Sequence, residues 1–161
     1  MAAGQTYTPI TSTTLGTTAT TVTFSSIAQT YTDLVLVVSG GCTGVGYGYM
    51  YFNNDTGANY SRTELNGNGS SPNSQRFSNL IPITLDTSLG TSINKINIMN
   101  YANTTTYKSV IYRYDAPNGI TGAGVGMWRS TSAVTRVDLV GYSNTVFIAG
   151  SVFTLYGITA A

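Results

Sequence analysis

Apolar and polar residues alternate with a period of two along most of this chain. Thr21-Val-Thr-Phe-Ser25 puts Val22 and Phe24 on one face of an extended segment. Gly46-Tyr-Gly-Tyr-Met-Tyr-Phe52 puts Tyr47, Tyr49 and Tyr51 on one face and Met50 and Phe52 on the other. Around Val137 and Leu139 the alternation turns those two inward and Arg136 and Asp138 outward. Asp33 opens Leu34-Val-Leu-Val-Val38, which is apolar on both faces and predicts a central strand. No segment carries the i, i+3, i+4, i+7 stripe of an amphipathic helix.

Further strands are expected at Tyr60–Leu65, Leu80–Leu85, Ile93–Met99, Tyr107–Tyr114, Gly122–Trp128, Val134–Val140 and Val152–Ile158. Pro82 favours a sheet edge, because proline cannot donate to a ladder. The glycines of Gly122–Trp128 share one face and invite the close approach of a backbone or a ring. Asn66-Gly67 and Asn68-Gly69 predict a tight hairpin or loop tip, which Ser70–Gln75 extends. Asn53–Gly57 and Ala116–Gly119 read as turns. Nine or ten short strands at hairpin spacing predict an all-β fold in a single domain: an antiparallel β-sandwich, of jelly-roll or related type. Residues 1–18 form a first strand or an arm reaching a neighbour, and 19–161 form the sandwich.

Composition narrows the chemistry. The chain has six acids, seven bases and no histidine, and charged residues make up 8% of it. Ordinary soluble domains carry roughly 25%. Thr (27), Gly (18), Ser (16) and Asn (13) occupy the polar positions instead. These residues offer hydroxyls, amides and turns, but few acids or bases that work near neutral pH. With 161 residues the chain is long enough for a core without staples. Sheet edges are commonly blunted with Lys, Glu and Pro. Only two Lys, one Glu and four Pro are available, which predicts edges covered by partner subunits.

Candidate sites are correspondingly few. Cys42 stands alone, so no internal disulfide or paired-cysteine metal knuckle is expected, and no histidine can activate it. Imidazole or thiolate metal sites and a Ser-His-Asp triad fail for the same reason. Gly44–Gly46 and Gly122–Gly126 do not open a helix, which a phosphate loop requires. Asn53–Asn59 is faintly like a calcium loop, yet it has one carboxylate and reads better as a turn. The six carboxylates are isolated in sequence and make no evident glycosidase pair. No catalytic residue, cofactor or metal is therefore expected, so the chain is read as a non-enzyme.

Scattered cations predict no nucleic-acid partner. The longest aliphatic run, Leu34–Val38, predicts no membrane helix, and Met1–Thr6 shows no secretion signal. Asn59-Tyr-Ser61 and Asn103-Thr-Thr105 match glycosylation sequons at a frequency this composition yields by chance. The strongest candidate surface is aromatic. Twelve tyrosines are present: Tyr47, Tyr49 and Tyr51 form one stripe, Tyr112 and Tyr114 another, and Trp128 precedes Arg129. Such side chains line half-buried sheets and subunit interfaces, or stack on sugars.

Four segments carry a family resemblance: Tyr7–Ile10, Phe24–Leu34, Phe52–Ser61 and Ser151–Ile158. With them the chain resembles small structural proteins of tailed bacteriophages, particularly those infecting cyanobacteria. The resemblance implies a β-sandwich virion protein without catalytic residues, often a homotrimer. It also implies a capsid cement (decoration) protein bound to the major capsid protein on the head surface, or a tail-fibre domain among tail proteins. Such a protein is made in the host cytoplasm and ends in the virion. In the fibre case Trp128, Arg129 and the Tyr47/Tyr49/Tyr51 stripe are expected to hold host glycans.

Overall fold

A computed structural model describes residues 6–43, 46–79, 81–84, 91–116 and 119–159, with residues 82–84 described by their backbone alone. Among these residues there is no helix. The strands are β1 (Tyr7–Thr14), β2 (Thr21–Phe24), β3 (Asp33–Gly40), β4 (Tyr47–Phe52), β5 (Tyr60–Gly67) and β6 (Pro72–Ser78). They continue with β7 (Ile81–Thr84), β8 (Ser92–Met99), β9 (Lys108–Asp115), β10 (Thr121–Trp128), β11 (Val137–Gly141) and β12 (Val152–Ile158).

An eight-stranded sheet runs β1-β12-β3-β8-β9-β10-β5-β6, and a four-stranded sheet runs β2-β11-β4-β7. Every pairing is antiparallel. The chain is thus the antiparallel β-sandwich its alternation predicts, and the strand order is compatible with a jelly-roll path. Leu34, Leu36 and Val38 of β3, Ile96 and Ile98 of β8, and Phe153 and Leu155 of β12 form one side of the core. Val22, Phe24, Met50, Phe52, Val137 and Leu139 form the other. Complete burial of such a side chain stabilises by about 1.5–3 kcal/mol. β3 lies between β12 and β8, and its outward-facing Val35, opposite Tyr156 and Asn97 in the two ladders, is buried as well. That explains the run of apolar residues on both of its faces.

Two expectations change and one open alternative is resolved. The loop expected through Gln75 ends at Ser71, and Pro72–Ser78 pairs with β5 along its length. The Asn68 side chain takes up the loop, accepting hydrogen bonds from Ser70 N (3.0 Å) and Ser71 N (3.1 Å). Gly69 supplies the positive φ of +85° that the tip needs. The Thr-rich start is a strand, since β1 pairs with β12 rather than reaching away. The strand expected from Val134 starts only at Val137, because Asn53 holds the preceding residues. Its Oδ1 accepts from Thr135 N (2.9 Å) and Arg136 N (3.0 Å), and its Nδ2 donates to Ala133 O (2.8 Å).

The edges are less open than composition implies. Four strands end the two sheets: β1, β6, β2 and β7. Three of them carry a proline (Pro9, Pro72 and Pro82), and β1 has a register shift between Pro9 and Thr11. The fourth, β2, is only four residues long. Prolines, irregularities and short edges all discourage strand addition.

Candidate functional site

Trp128 and Arg129 do not form a ligand surface together. Trp128 is 2% exposed and packs against Phe52 (centroids 5.5 Å apart) and Tyr60 (6.4 Å, interplanar 17°). β10 turns its even-numbered residues inward, and the indole fills the core at the strand's end. Its Nε1 donates to Asp55 Oδ2 at 2.7 Å. Gly57 N (3.0 Å) and Asn59 Nδ2 (2.9 Å) donate to the same carboxylate. Burial pushes the Asp55 carboxyl up, but these donors prevail and hold it below the usual carboxylate range. The calcium-like loop is therefore a turn organised around an indole. Arg129 is exposed, and its guanidinium donates to Ala58 O.

Tyr112 and Tyr114 are also interior. They lie on the inner face of β9, with their rings over Gly124 and Gly122 of β10. Their hydroxyls donate to Glu64 Oε2 (2.8 Å) and Oε1 (2.7 Å). Asn66 Nδ2 adds a bond of 3.0 Å, and Arg62 approaches Oε2 at 3.5 Å. Burial raises the Glu64 carboxyl, yet the donors and the nearby guanidinium outweigh it and leave its pKa lowered. Burial, with the adjacent carboxylate, drives both tyrosines well above their ordinary range. Arg62 stacks on Phe77, 4.1 Å from the ring centroid. The cluster cross-braces β5, β9 and β10. It reaches solvent little and is not the binding surface expected of these two tyrosines.

The Tyr47/Tyr49/Tyr51 stripe does sit on a surface, the outer face of the four-stranded sheet, where each residue is half-buried. Tyr142, just past β11, extends it and stacks on Tyr47 (4.9 Å, 14°). Tyr49 is flanked by Tyr47 (6.0 Å), Tyr142 (5.1 Å) and Tyr51 (6.2 Å). Burial, then the neighbouring phenols, pushes its hydroxyl up to about 12. Beside the ladder Asp138 is 4% exposed and accepts from Arg136 (2.8 Å) and Thr23 (2.7 Å). It faces outward as predicted, but its own ion pair and the tyrosines cover it.

Among the described residues, a further group of exposed apolar side chains lies elsewhere, on the outer face of the eight-stranded sheet. Leu65 (64% exposed), Val125 (54%), Ile93 (52%) and Ile111 (45%) stand out there, with Met99 and Met127 beside them. Register sets their neighbours. One row across the strands reads Asn97, Ile111, Val125, Thr63, Arg76, and the adjacent row reads Lys95, Arg113, Ala123, Leu65, Ser74. A shallow depression of about 350 Å³ is lined by Val37, Ile93, Lys95, Arg113, Tyr114 and Asp115. Sequence alternation contained this face: Ile111, Val125 and Leu65 are apolar residues at outward positions. The inward tyrosines of the same strands hid it.

A scan against protein-family models finds no match to this chain, and a search of curated proteins finds no similar sequence.

Proposed function

We propose that this chain is a structural protein of a tailed-bacteriophage virion, a capsid cement protein that clamps the outer head shell as a homotrimer. The observation that carries the reading is the uncovered face holding Leu65, Ile93, Ile111, Val125, Met99 and Met127. Contiguous exposed apolar side chains on a soluble domain mark an interaction surface. The sequence resemblance turns that assembly surface into a virion one, and the trimer rests on the resemblance alone. A cement protein acts by adding buried area across shell junctions, which opposes the pressure of packaged DNA. The braced sandwich suits that task. Each described carboxylate (Asp33, Asp55, Glu64, Asp115 and Asp138) already accepts a hydrogen bond within the chain. Heads assembled without the protein are expected to release DNA at lower temperature than complete heads. Equal heat resistance would sink the reading.

The stacked Tyr47–Tyr142 pair favours a second reading, a tail-fibre or appendage domain binding host glycans. In that case the tyrosine ladder is the sugar platform and buried Trp128 has no part in it. Binding of host envelope polysaccharide that disappears in Tyr142→Ala would support this reading, and an empty glycan array would remove it.

A further inference from the structure

The uncovered sheet face also carries a charge pattern that specifies its partner. Arg113 and Arg76 are exposed on it and make no ion pair among the described residues. They bracket Ile111, Ala123, Val125 and Leu65, and strand spacing and rise place them about 16 Å apart. Lys95 is directly opposite Arg113 in the β8–β9 ladder. Like charges so placed repel. The Lys95 ammonium leans away to the Tyr7 hydroxyl (3.1 Å) and ring (5.2 Å). The two described anions of this face are engaged within the chain, Asp115 in the same depression as Arg113 and Lys95, and Asp33 at the start of β3. Asp115 accepts from Ile93 N (2.9 Å) and Asp33 from Asn100 N (2.6 Å).

We infer that this face docks on another protein whose surface is apolar at its centre and presents carboxylates to Arg113 and Arg76. A second copy of the chain does not fit. A two-fold axis along or across the strands that buries Ile111 and Val125 sets the two central rows against themselves or each other. Neither row contains a carboxylate. Such a pairing leaves the Arg76 guanidinium desolvated without an anion, and Arg113 with only Asp115 of its own strand, which is already hydrogen-bonded to Ile93 N, and that is costly. Nucleic acid fits poorly as well, since it rewards many cations and gains nothing from an apolar centre. The inference deepens the reading proposed above, in which the partner is a shell subunit, but its residues stand without that reading.

Two measurements separate the inference from the reading. First, amide shifts of the isotope-labelled protein are followed by NMR against a random glutamate–tyrosine copolymer, poly-glutamate and duplex DNA. The copolymer should shift residues around Ile111, Val125, Leu65 and Arg76, leave β2 and β11 unmoved, and bind the Arg76→Glu/Arg113→Glu variant at least about tenfold more weakly. Poly-glutamate alone should bind weakly and DNA not at all. Shifts centred elsewhere, no shifts, stronger DNA binding, or dimerisation lost in Val125→Asp would overturn the inference. Second, the protein is added to heads that lack it. Binding by the wild type and not by the double variant places the shell on this face. Absent wild-type binding removes the virion reading while the first result still decides the face. Equal binding by both proteins overturns the inference even where the reading survives.

Discussion

Gly124 and Tyr112 lie against each other across the β9–β10 ladder, and the glycine's missing side chain is what lets the ring lie flat. A Cβ at Gly124 would stand 2.4 Å from the Tyr112 hydroxyl oxygen and 2.8 Å from the backbone carbonyl of Thr63. The ring could swing away, but the carbonyl belongs to the adjacent strand and cannot. Gly124→Ala is therefore expected to destabilise the fold by about 1–3 kcal/mol through overpacking. Gly16→Ala is the control, since nothing lies within 4 Å of its added methyl. Urea unfolding of both variants checks this, and similar midpoints for the two would contradict it.

The same ring orients a hydroxyl at Glu64. An amide at this position carries two N–H donors into a site that already supplies O–H donors from Tyr112 and Tyr114. Glu64→Gln should cost about 1–3 kcal/mol, the penalty for mispaired buried groups. Glu64→Asp retains the charge but withdraws it by one methylene, and should cost less than the amide. Chemical denaturation of the two variants at neutral pH gives the ranking.

Acid sensitivity follows from the same carboxylate. The folded-state pKa values of Glu64, Asp55 and Asp138 are all lowered. The unfolded chain thus binds more protons than the folded one as pH falls through the carboxylate range. The stability they contribute is present in full above their ordinary pKa values of about 4. It is lost as pH drops through the lower folded values. Unfolding free energy should be level from pH 7 to about 5 and then decline. In Glu64→Gln the decline should be shallower, and an unchanged slope would show that Glu64 is not among the groups responsible.

At the alkaline end the buried and half-buried tyrosines, Tyr60, Tyr112 and Tyr114 with Tyr49 of the ladder, set the limit. With Tyr49 raised from 10.0 to about 12, the folded chain keeps a proton there that the unfolded chain gives up. Its contribution is intact below the ordinary tyrosine range near 10 and disappears as pH rises towards 12. Ultraviolet titration of phenolate in the native protein should show late-ionising tyrosines, fewer of them after Tyr49→Phe. Ionisation of every tyrosine near 10 in the folded state would contradict the packing described.

The single tryptophan reports directly on the corrected site. Trp128 is enclosed by Phe52 and Tyr60 and bonded to Asp55, so native emission should be blue-shifted and should move to the red on unfolding. Soluble sugars should not quench it. Trp128→Phe should lose about 1.5–3 kcal/mol, the worth of a hydrogen bond to a charged group. Emission at the wavelength of exposed indole in the native state would return Trp128 to the surface.

Local periodicity made most of the framework legible. The alternation at Tyr47–Phe52 and the unbroken apolar run at Leu34–Val38 each specify a strand and the faces it buries. Pro82 correctly marked an edge. β6 escaped notice because Pro-Asn-Ser-Gln-Arg reads as loop chemistry, and only the ladder offered by β5 makes it a strand. The glycine face of Gly122–Trp128 did take the close approach of rings that its sequence invites, but which rings was not legible there. Glycines and the indole share that face, and the deciding partners, Tyr112 and Tyr114, come from another strand. The Glu64 cluster was equally invisible, since its tyrosines are 48 and 50 residues away in the chain. The surface stripe at Tyr47, Tyr49 and Tyr51 was legible, but its fourth member, Tyr142, joins through tertiary structure.

The central claim is a place on the capsid head, and the most direct measurement is to label this protein on intact virions and image them by electron microscopy. Label distributed over the whole head is the predicted result. Label confined to the tail or its fibres, or absent from the particle, would contradict it.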